Sequence, residues 1–334
     1  MKAIVQEKYG SPAVMQLRRL AEPVPAAGEV LIQVHATVAT PSDVAFRTGS
    51  PFIARLFSGL VKPKAPILGD NLAGVVLSVG SGVTRFKPGD RVYGSTGSLA
   101  GASAEMTCLP ETSALAVMPP SMSFGEAAGL ADGGLTAMPF LRDTGELQAG
   151  QHVLINGASG SVGSAAVQLA KLLGAEVTGV CSGSNRELVR SLGADHVIDY
   201  GVEDFTRAED KYDVIFDAVG KNSFSRCEGA LKPEGIYMVG TVPTPSLLLA
   251  MLRKHGKRGR FAATGLRPAA DKVKDLALLN AYFAAGKLRT VIDRRYPLEQ
   301  IAAAHRYVET GHKVGSVVID IHSEAPRRIS STES

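Results

Sequence analysis

The chain has 334 residues, 36 Lys+Arg against 32 Asp+Glu (net charge +4), and 45% hydrophobic residues. That length and apolar content support a large core and two domains, and so small a net charge argues against a dedicated nucleic-acid binder. No apolar run reaches the ~18 residues of a membrane span, and Cys108, Cys181 and Cys227 lie far apart, which suits a reducing compartment without disulfides.

The chain opens on Met1-Lys-Ala-Ile-Val, which reads as a strand with no signal peptide before it, so a soluble cytoplasmic protein is expected. Residues 1–123 are strand-like and turn-rich, as in Glu29–Ala36, Ala73–Gly80 and Asp90–Tyr93, with turns at Lys87-Pro-Gly-Asp90 and Gly80-Ser-Gly82. From residue 124 helix and strand alternate, with strands expected at 153–156, 176–181, 196–198, 213–217 and 236–240. Such alternation implies a parallel sheet covered by helices on both faces. Leu247–Leu252 is apolar all round and is followed by Arg253, Lys254, His255, Lys257, Arg258 and Arg260. It reads as a short buried helix whose cationic end suits the helix dipole, with a subunit contact or a pocket lid as a use for the leucines. The tail from Ser323 to Ser334 is polar and is expected to fray.

The most informative stretch is Val153-Leu-Ile-Asn-Gly-Ala-Ser-Gly-Ser-Val-Gly163. An apolar strand enters a glycine-rich turn, which enters a helix with Ala166, Leu169, Ala170 and Leu173 at one-face spacing. A second strand follows at Glu176–Cys181, completing a βαβ unit of dinucleotide-binding length. Glycines let the backbone approach a pyrophosphate, and the helix start offers N–H groups and a partial positive charge to it. After the second strand, NAD binders usually carry an acid for the ribose hydroxyls. Here Ser182-Gly-Ser-Asn-Arg186 stands instead, and nothing is acidic before Glu187. Ser182, Ser184 and Asn185 can hydrogen-bond a 2′-phosphate and Arg186 can pair with it, so NADPH is expected over NADH.

Six segments, in order, resemble the zinc-independent quinone oxidoreductase (zeta-crystallin-like) branch of the medium-chain dehydrogenase/reductases. They are Leu68–Val76, Phe86–Val92, Gly133–Ala137, Gly157–Gly163, Leu192–Tyr200 and Val291–Leu298. The resemblance implies a doubly wound parallel Rossmann sheet (124–263) inserted into a β-rich GroES-like catalytic domain (1–123), to which the segment 264–334 returns. It also implies a homodimer and a cleft where coenzyme and substrate meet. By the family pattern, Thr136 lies near the nicotinamide, and Ser159, Gly160, Ser161, Val162 and Gly163 cradle the pyrophosphate. Ser182, Arg186 and Tyr200 surround the adenosine phosphate, while Gly220, Val239, Gly240 and Thr241 border the ribose and nicotinamide. Gly315 and Ser316 close over the coenzyme. Relatives carry Gly-Lys at that last position, so Gly315-Ser316 is a departure for which Lys313 could substitute.

Zinc relatives place a cysteine where Pro41 stands and a His-Glu pair where Asp70-Asn71 follows Gly69. No metal is therefore expected, since a zinc site needs three or four converging ligands. His35, His152, His196 and His305 are scattered. Without a metal, quinones and α,β-unsaturated carbonyls suit hydride transfer better than simple ketones, because their charge delocalises. Thr40, replacing the asparagine of the family's Asn-Pro-x-Asp turn, is a weak catalytic candidate. Asp43 and Tyr93 read as structural. Two alternatives stand beside an NADPH-dependent reductase. One is an NADPH-binding sensor or structural protein with little catalysis, in which the basic stretch 253–260 would bind RNA. The other is an enoyl-thioester reductase.

Overall fold

The computed structural model describes residues 1–322, apart from the side chain of residue 98. The tail expected to fray, Ser323–Ser334, lies outside the described residues.

Two sheets organise the chain. A short antiparallel pair, β1 (Lys2–Val5) and β2 (Gln16–Arg19), precedes them. The first large sheet contains β3 (Glu29–Ala39), β4 (Asn71–Val79), β5 (Arg91–Ser95), β6 (Met106–Pro110) and β7 (Ala114–Val117). Strand β3 is its spine: Val30, Ile32, Val34 and Ala36 turn inward at alternate positions, the period of a strand with one packed face. Helices α1 (Pro41–Thr48) and α2 (Ile53–Ser58) fill the connection from β3 to β4.

The second sheet has six parallel strands: β8 (His152–Asn156), β9 (Glu176–Cys181), β10 (His196–Asp199), β11 (Tyr212–Asp217), β12 (Leu231–Val239) and β13 (Arg258–Arg260). Their order is β10-β9-β8-β11-β12-β13, so the winding reverses between β8 and β11. A ligand crevice forms at the strand carboxyl ends at such a reversal. Strand β8 is buried throughout because helices cover both faces. Helix α3 (Phe124–Pro139) precedes this sheet, and α4 (Ser161–Leu172), α5 (Arg186–Ser191) and α6 (Phe224–Cys227) pack on its strands.

The chain then forms α7 (Pro245–Met251) and α8 (Ala269–Ala284) and returns to the first sheet. There β14 (Ile292–Pro297) pairs with β15 (Ser316–Asp320), with α9 (Ile301–Glu309) between them. Strand β15 lies antiparallel to the Ala36–Ala39 end of β3. This is the expected architecture of a Rossmann sheet inserted into a GroES-like unit. Helix α3 packs on β3, β4, β5 and β15 and also on α4 and α8, so it connects the two halves.

Three expectations need correction. Strand β12 begins at Leu231, not 236, and ends at Val239, leaving Gly240 beyond it. Strand β13 was not foreseen, because Arg-Gly-Arg carries no apolar signal; it forms as an edge pairing with Ile236–Met238. Helix α7 is not buried all round: Leu247 and Ala250 pack inward, whereas Leu248, Leu249, Met251 and Leu252 are exposed. At the sheet edge only one face of this helix has a neighbour, and Leu247 packs over Gly259 of β13.

Candidate active site: a coenzyme cradle

The glycine turn is built by close backbone approach. Gly157 leaves β8 at φ +80°, in the left-handed region. The chain then turns so tightly that a Cβ at position 163 would lie 2.0 Å from the Gly157 carbonyl oxygen, so only glycine fits there. Ala158, where the commonest fingerprint has glycine, is fully buried and packs toward Gly179 in the sheet, so its methyl stays out of the crevice. Gly160 is the N-cap of α4 and offers no side-chain cap. The first N–H groups of α4 therefore keep their donor capacity for an anion. This geometry fits a dinucleotide pyrophosphate.

The segment expected to hold the adenosine phosphate is joined to this turn by side chains. Asn185 Nδ2 donates to Ser182 Oγ (3.0 Å) and to Ser159 Oγ (3.2 Å), and the Ser182 and Ser184 hydroxyls are 3.1 Å apart. Arg186 and Tyr200 are exposed at its rim. The sequence did not reveal an acid here: the Asp199 carboxylate, at the end of neighbouring β10, packs against Gly183, 2.4 Å from where a Cβ would stand.

Past β11 and β12, Gly220 (φ +69°) meets the Thr241 side chain, where a Cβ would stand 2.0 Å from Oγ1. Gly240 and Thr241 are exposed, whereas Val239 is buried in the core of the sheet, leaving only its backbone for the crevice. Asp217, fully buried, organises this loop and was not singled out from the sequence. Its carboxylate accepts from Asn156 Nδ2 (2.8 Å) and from the N–H groups of Gly220 and Asn222 (both 2.9 Å).

The returning segment is fastened to the glycine turn. Gly315 N donates to Ser159 O (2.8 Å), and Gly315 bridges Gly160. Ser316 instead turns its side chain toward Gly129 of α3. The neighbouring Lys313 reaches the cradle: its Nζ donates to Ser161 Oγ (2.8 Å) and Gly315 O (2.9 Å). Its charge thus stands at the first turn of α4, beside the groups expected to hold phosphate. Burial lowers the Lys313 pKa, and Asp132 of α3 opposes this. Half-buried Thr136 is one helical turn beyond Asp132 on the same helix, so the two share a face.

Just after β3, Thr40 is the N-cap of α1 and forms a capping box with Asp43. Its hydroxyl proton goes to Asp43 Oδ2 (2.7 Å) and its oxygen accepts from Asp43 N (3.1 Å), so the group is committed in both directions. Burial pushes the Asp43 carboxyl up to about 7, reinforced by Asp70. Asp70, joined by the Asn71 amide, is pushed up to about 6 by burial and by Asp132, while Lys272 of α8 draws it back. Burial also raises Asp132, which Lys313 and the Ser161 hydroxyl oppose. Tyr93 is buried and donates to Asn280 Oδ1 (2.8 Å), a packing contact with α8. Among the described residues, no group of three or more His, Cys, Asp or Glu side chains is arranged to hold a metal ion. Pro41 opens α1, and His35, His152 and His305 contact Phe124, Thr178 and Arg47.

Family models for the alcohol dehydrogenase GroES-like domain and for a zinc-binding dehydrogenase match residues 26–137 and 192–319. The chain is 35% identical to an NADPH-dependent alkenal/one oxidoreductase of Arabidopsis thaliana, over 96% of this chain and 79% of that one. The solved quinone oxidoreductase of Coxiella burnetii is 31% identical, with a TM-score of 0.85 over 96% of this chain and 99% of that one. A mycobacterial protein solved with NADPH is 26% identical, with a TM-score of 0.83 over 96% and 100% of the two chains. With the glycine turn and the sheet order described above, these likenesses mean that the chain belongs to the quinone oxidoreductase branch of the medium-chain dehydrogenase/reductases.

Proposed function

We propose that this protein transfers a hydride from NADPH to a quinone or an α,β-unsaturated carbonyl without help from a metal. The observation that carries the reading is the uncapped helix start at Gly160, bordered by Lys313 and continuous through Ser159 and Asn185 with Ser182. It offers a pyrophosphate cradle joined to hydroxyl and amide groups suited to a 2′-phosphate, with Arg186 at its rim.

Bound NADPH supplies the hydride. In this reading Ser159, Gly160, Ser161, Val162, Gly163 and Lys313 hold the pyrophosphate, and Ser182, Arg186 and Tyr200 hold the adenosine phosphate. Thr136, Gly220, Val239, Gly240 and Thr241 border the nicotinamide ribose and ring, and Gly315 with Ser316 positions the closing segment. Thr40 acts by capping α1 and presenting Asp43. The cleft then has to bring the donor and acceptor carbons to ~3–3.5 Å and stabilise charge on the acceptor oxygen. The metal-free part of the reading is supported by residue chemistry: Pro41 cannot ligate, and Asp70 and Asn71 turn to each other. The names of the relatives support the acceptor class and the coenzyme.

We take 1–123, 124–263 and 264–334 as the working domain boundaries, and a cytoplasmic homodimer as the working assembly. The open edge at β13 supports the dimer, which light scattering tests. No helix among the described residues is long and apolar enough to cross a membrane. The RNA-binding alternative loses its support because the basic stretch is largely ion-paired. Arg253 pairs with Glu228 (2.5 Å), Lys257 with Asp210 (2.7 Å) and Arg260 with Glu146 (2.7 Å). The test is NADPH oxidation, followed by absorbance, with a quinone, an alkenal and an enoyl-CoA. Turnover of a quinone or the alkenal is expected. Turnover of the enoyl-CoA alone selects the thioester reductase, and no turnover with any of them defeats the catalytic reading.

A further inference from the structure

Helix α2 and the turn after it are built inside out. Phe52, Ile53, Leu56 and Phe57 share one face at i, i+1, i+4 and i+5 spacing, and Leu60 and Val61 follow in the turn. These six side chains are between 44% and 89% exposed, while the inward positions are the small residues Ala54 and half-buried Ser58. A surface helix ordinarily turns its large apolar residues to the core. Single exposed apolar side chains are normal, but a continuous apolar surface of this kind marks a place of contact.

The backbone beneath this surface is fixed. The Tyr9 hydroxyl donates to Gly59 O and lies 2.9 Å from Ser58 Oγ. Lys64 N donates to Ser58 O (2.7 Å), and Arg55 Nε donates to Gly49 O (3.1 Å) while its guanidinium covers the Tyr9 ring. Gly59 closes the turn at φ +121°, where a Cβ would stand 2.1 Å from Lys62 O. The apolar face is therefore presented ready-made, with little ordering cost on contact.

Its charge has one sign. Between Asp43 and Asp70 the chain carries no acid, and its cations are Arg47, Arg55, Lys62 and Lys64. Arg47 is buried on Glu309, but among the described residues Arg55, Lys62 and Lys64 form no ion pair. Glu7, in the β1–β2 connection, attracts Lys62 through space and is itself paired with Arg18 (2.7 Å). Helix α7 differs: Leu248, Leu249, Met251 and Leu252 are exposed too, but the basic stretch after them is largely spent on carboxylates. A second copy meeting α2 across a two-fold axis would set the lysines of one protomer against those of the other, a like-charge contact.

We propose that α2 and the turn to Lys64 are a docking surface for a bilayer that carries anionic lipid. The apolar face enters the boundary between headgroups and acyl chains, and Lys62 and Lys64 rest against the phosphates. This is attachment at the surface, since a six-residue helix is far too short to cross.

The test is flotation of the full chain with vesicles of phosphatidylcholine alone and of phosphatidylcholine and phosphatidylglycerol in equal parts. The parent should float with the mixed vesicles only, and less as salt is raised. Leu56→Ser with Phe57→Ser should cut binding about 10-fold or more, and Lys62→Gln with Lys64→Gln by a similar factor. Leu248→Ser with Leu249→Ser, on α7, should bind as the parent does. The chain has no tryptophan, so Leu56→Trp is a single reporter. Its emission should move to shorter wavelength on mixed vesicles and be quenched by brominated acyl chains. NADPH affinity by calorimetry checks that each variant is folded. A parent that leaves the mixed vesicles unbound overturns the proposal. So does binding lost through the α7 pair instead of the α2 pair, or a Leu56→Trp emission that neither shifts nor quenches. A parent mass in light scattering that falls on Leu56→Ser with Phe57→Ser, without vesicle binding, replaces the bilayer by a second copy.

Discussion

In the proposed reading the coenzyme side and the acceptor side recognise their ligands in different ways. On the coenzyme side the proposed contacts come from consecutive main-chain groups, Gly157 to Gly163, ending at an uncapped helix. On the acceptor side the proposed groups are side chains on separate elements: Thr40 and Asp43 at α1, Asp70 before β4 and Asp132 on α3. Main-chain binding demands glycine at fixed offsets and so leaves a local signature in sequence. Side-chain convergence demands only that distant segments meet, which leaves no such mark. The difference also predicts how each side fails. Damage to the turn should abolish coenzyme binding, whereas damage to the acceptor side should spare binding and change chemistry or pH response.

The sharpest way to break that contrast is Gly163→Ala. Its Cβ would stand 2.0 Å from the Gly157 carbonyl oxygen, so the turn must open. NADPH affinity by calorimetry should fall about 100-fold or more, roughly 2.7 kcal/mol, with stability lowered as well. Near-parental affinity would mean that the turn does not cradle the pyrophosphate.

On the acceptor side, Asp43→Asn should alter pH response without touching the coenzyme. Folding raises the Asp43 carboxyl from the ordinary range to about 7, through burial and Asp70. Its contribution to stability is therefore full below the ordinary carboxylate pKa and lost as pH rises through 7. Denaturant unfolding at about pH 5 and about pH 8 should show the parent losing on the order of 2 kcal/mol more than Asp43→Asn over that interval. Equal losses would contradict the raised pKa.

Smaller effects separate the coenzymes. Arg186→Ala should weaken NADPH about 10-fold and leave NADH unchanged, since only the 2′-phosphate pairs with the guanidinium. Smaller still, Asp199→Asn should tighten NADPH a few-fold by removing a carboxylate that packs against Gly183. Equal changes for NADPH and NADH in either variant would move the phosphate away from this strand end.

The βαβ unit was legible in sequence because strand, glycine turn and helix are contiguous and periodic. The returning segment was legible only through family resemblance, since nothing local indicates that Ser316–Asp320 pairs with Ala36–Ala39. Helix α7 was misjudged because apolarity does not say how many faces of a helix have neighbours, and at a sheet edge only Leu247 and Ala250 do. Lys313 could be suspected from the Gly315-Ser316 departure, but its hydrogen bond to Ser161 spans 152 positions. Asp199 was invisible as a neighbour of the phosphate region because it is supplied by the adjacent strand β10.

The central claim is that NADPH, held at this turn, reduces a conjugated carbonyl without a metal. The most direct measurement is NADPH oxidation with an alkenal and a quinone by protein dialysed against a strong chelator and checked for residual metal. The account predicts steady turnover that added zinc does not raise. Turnover that disappears on chelation and returns with zinc would contradict it.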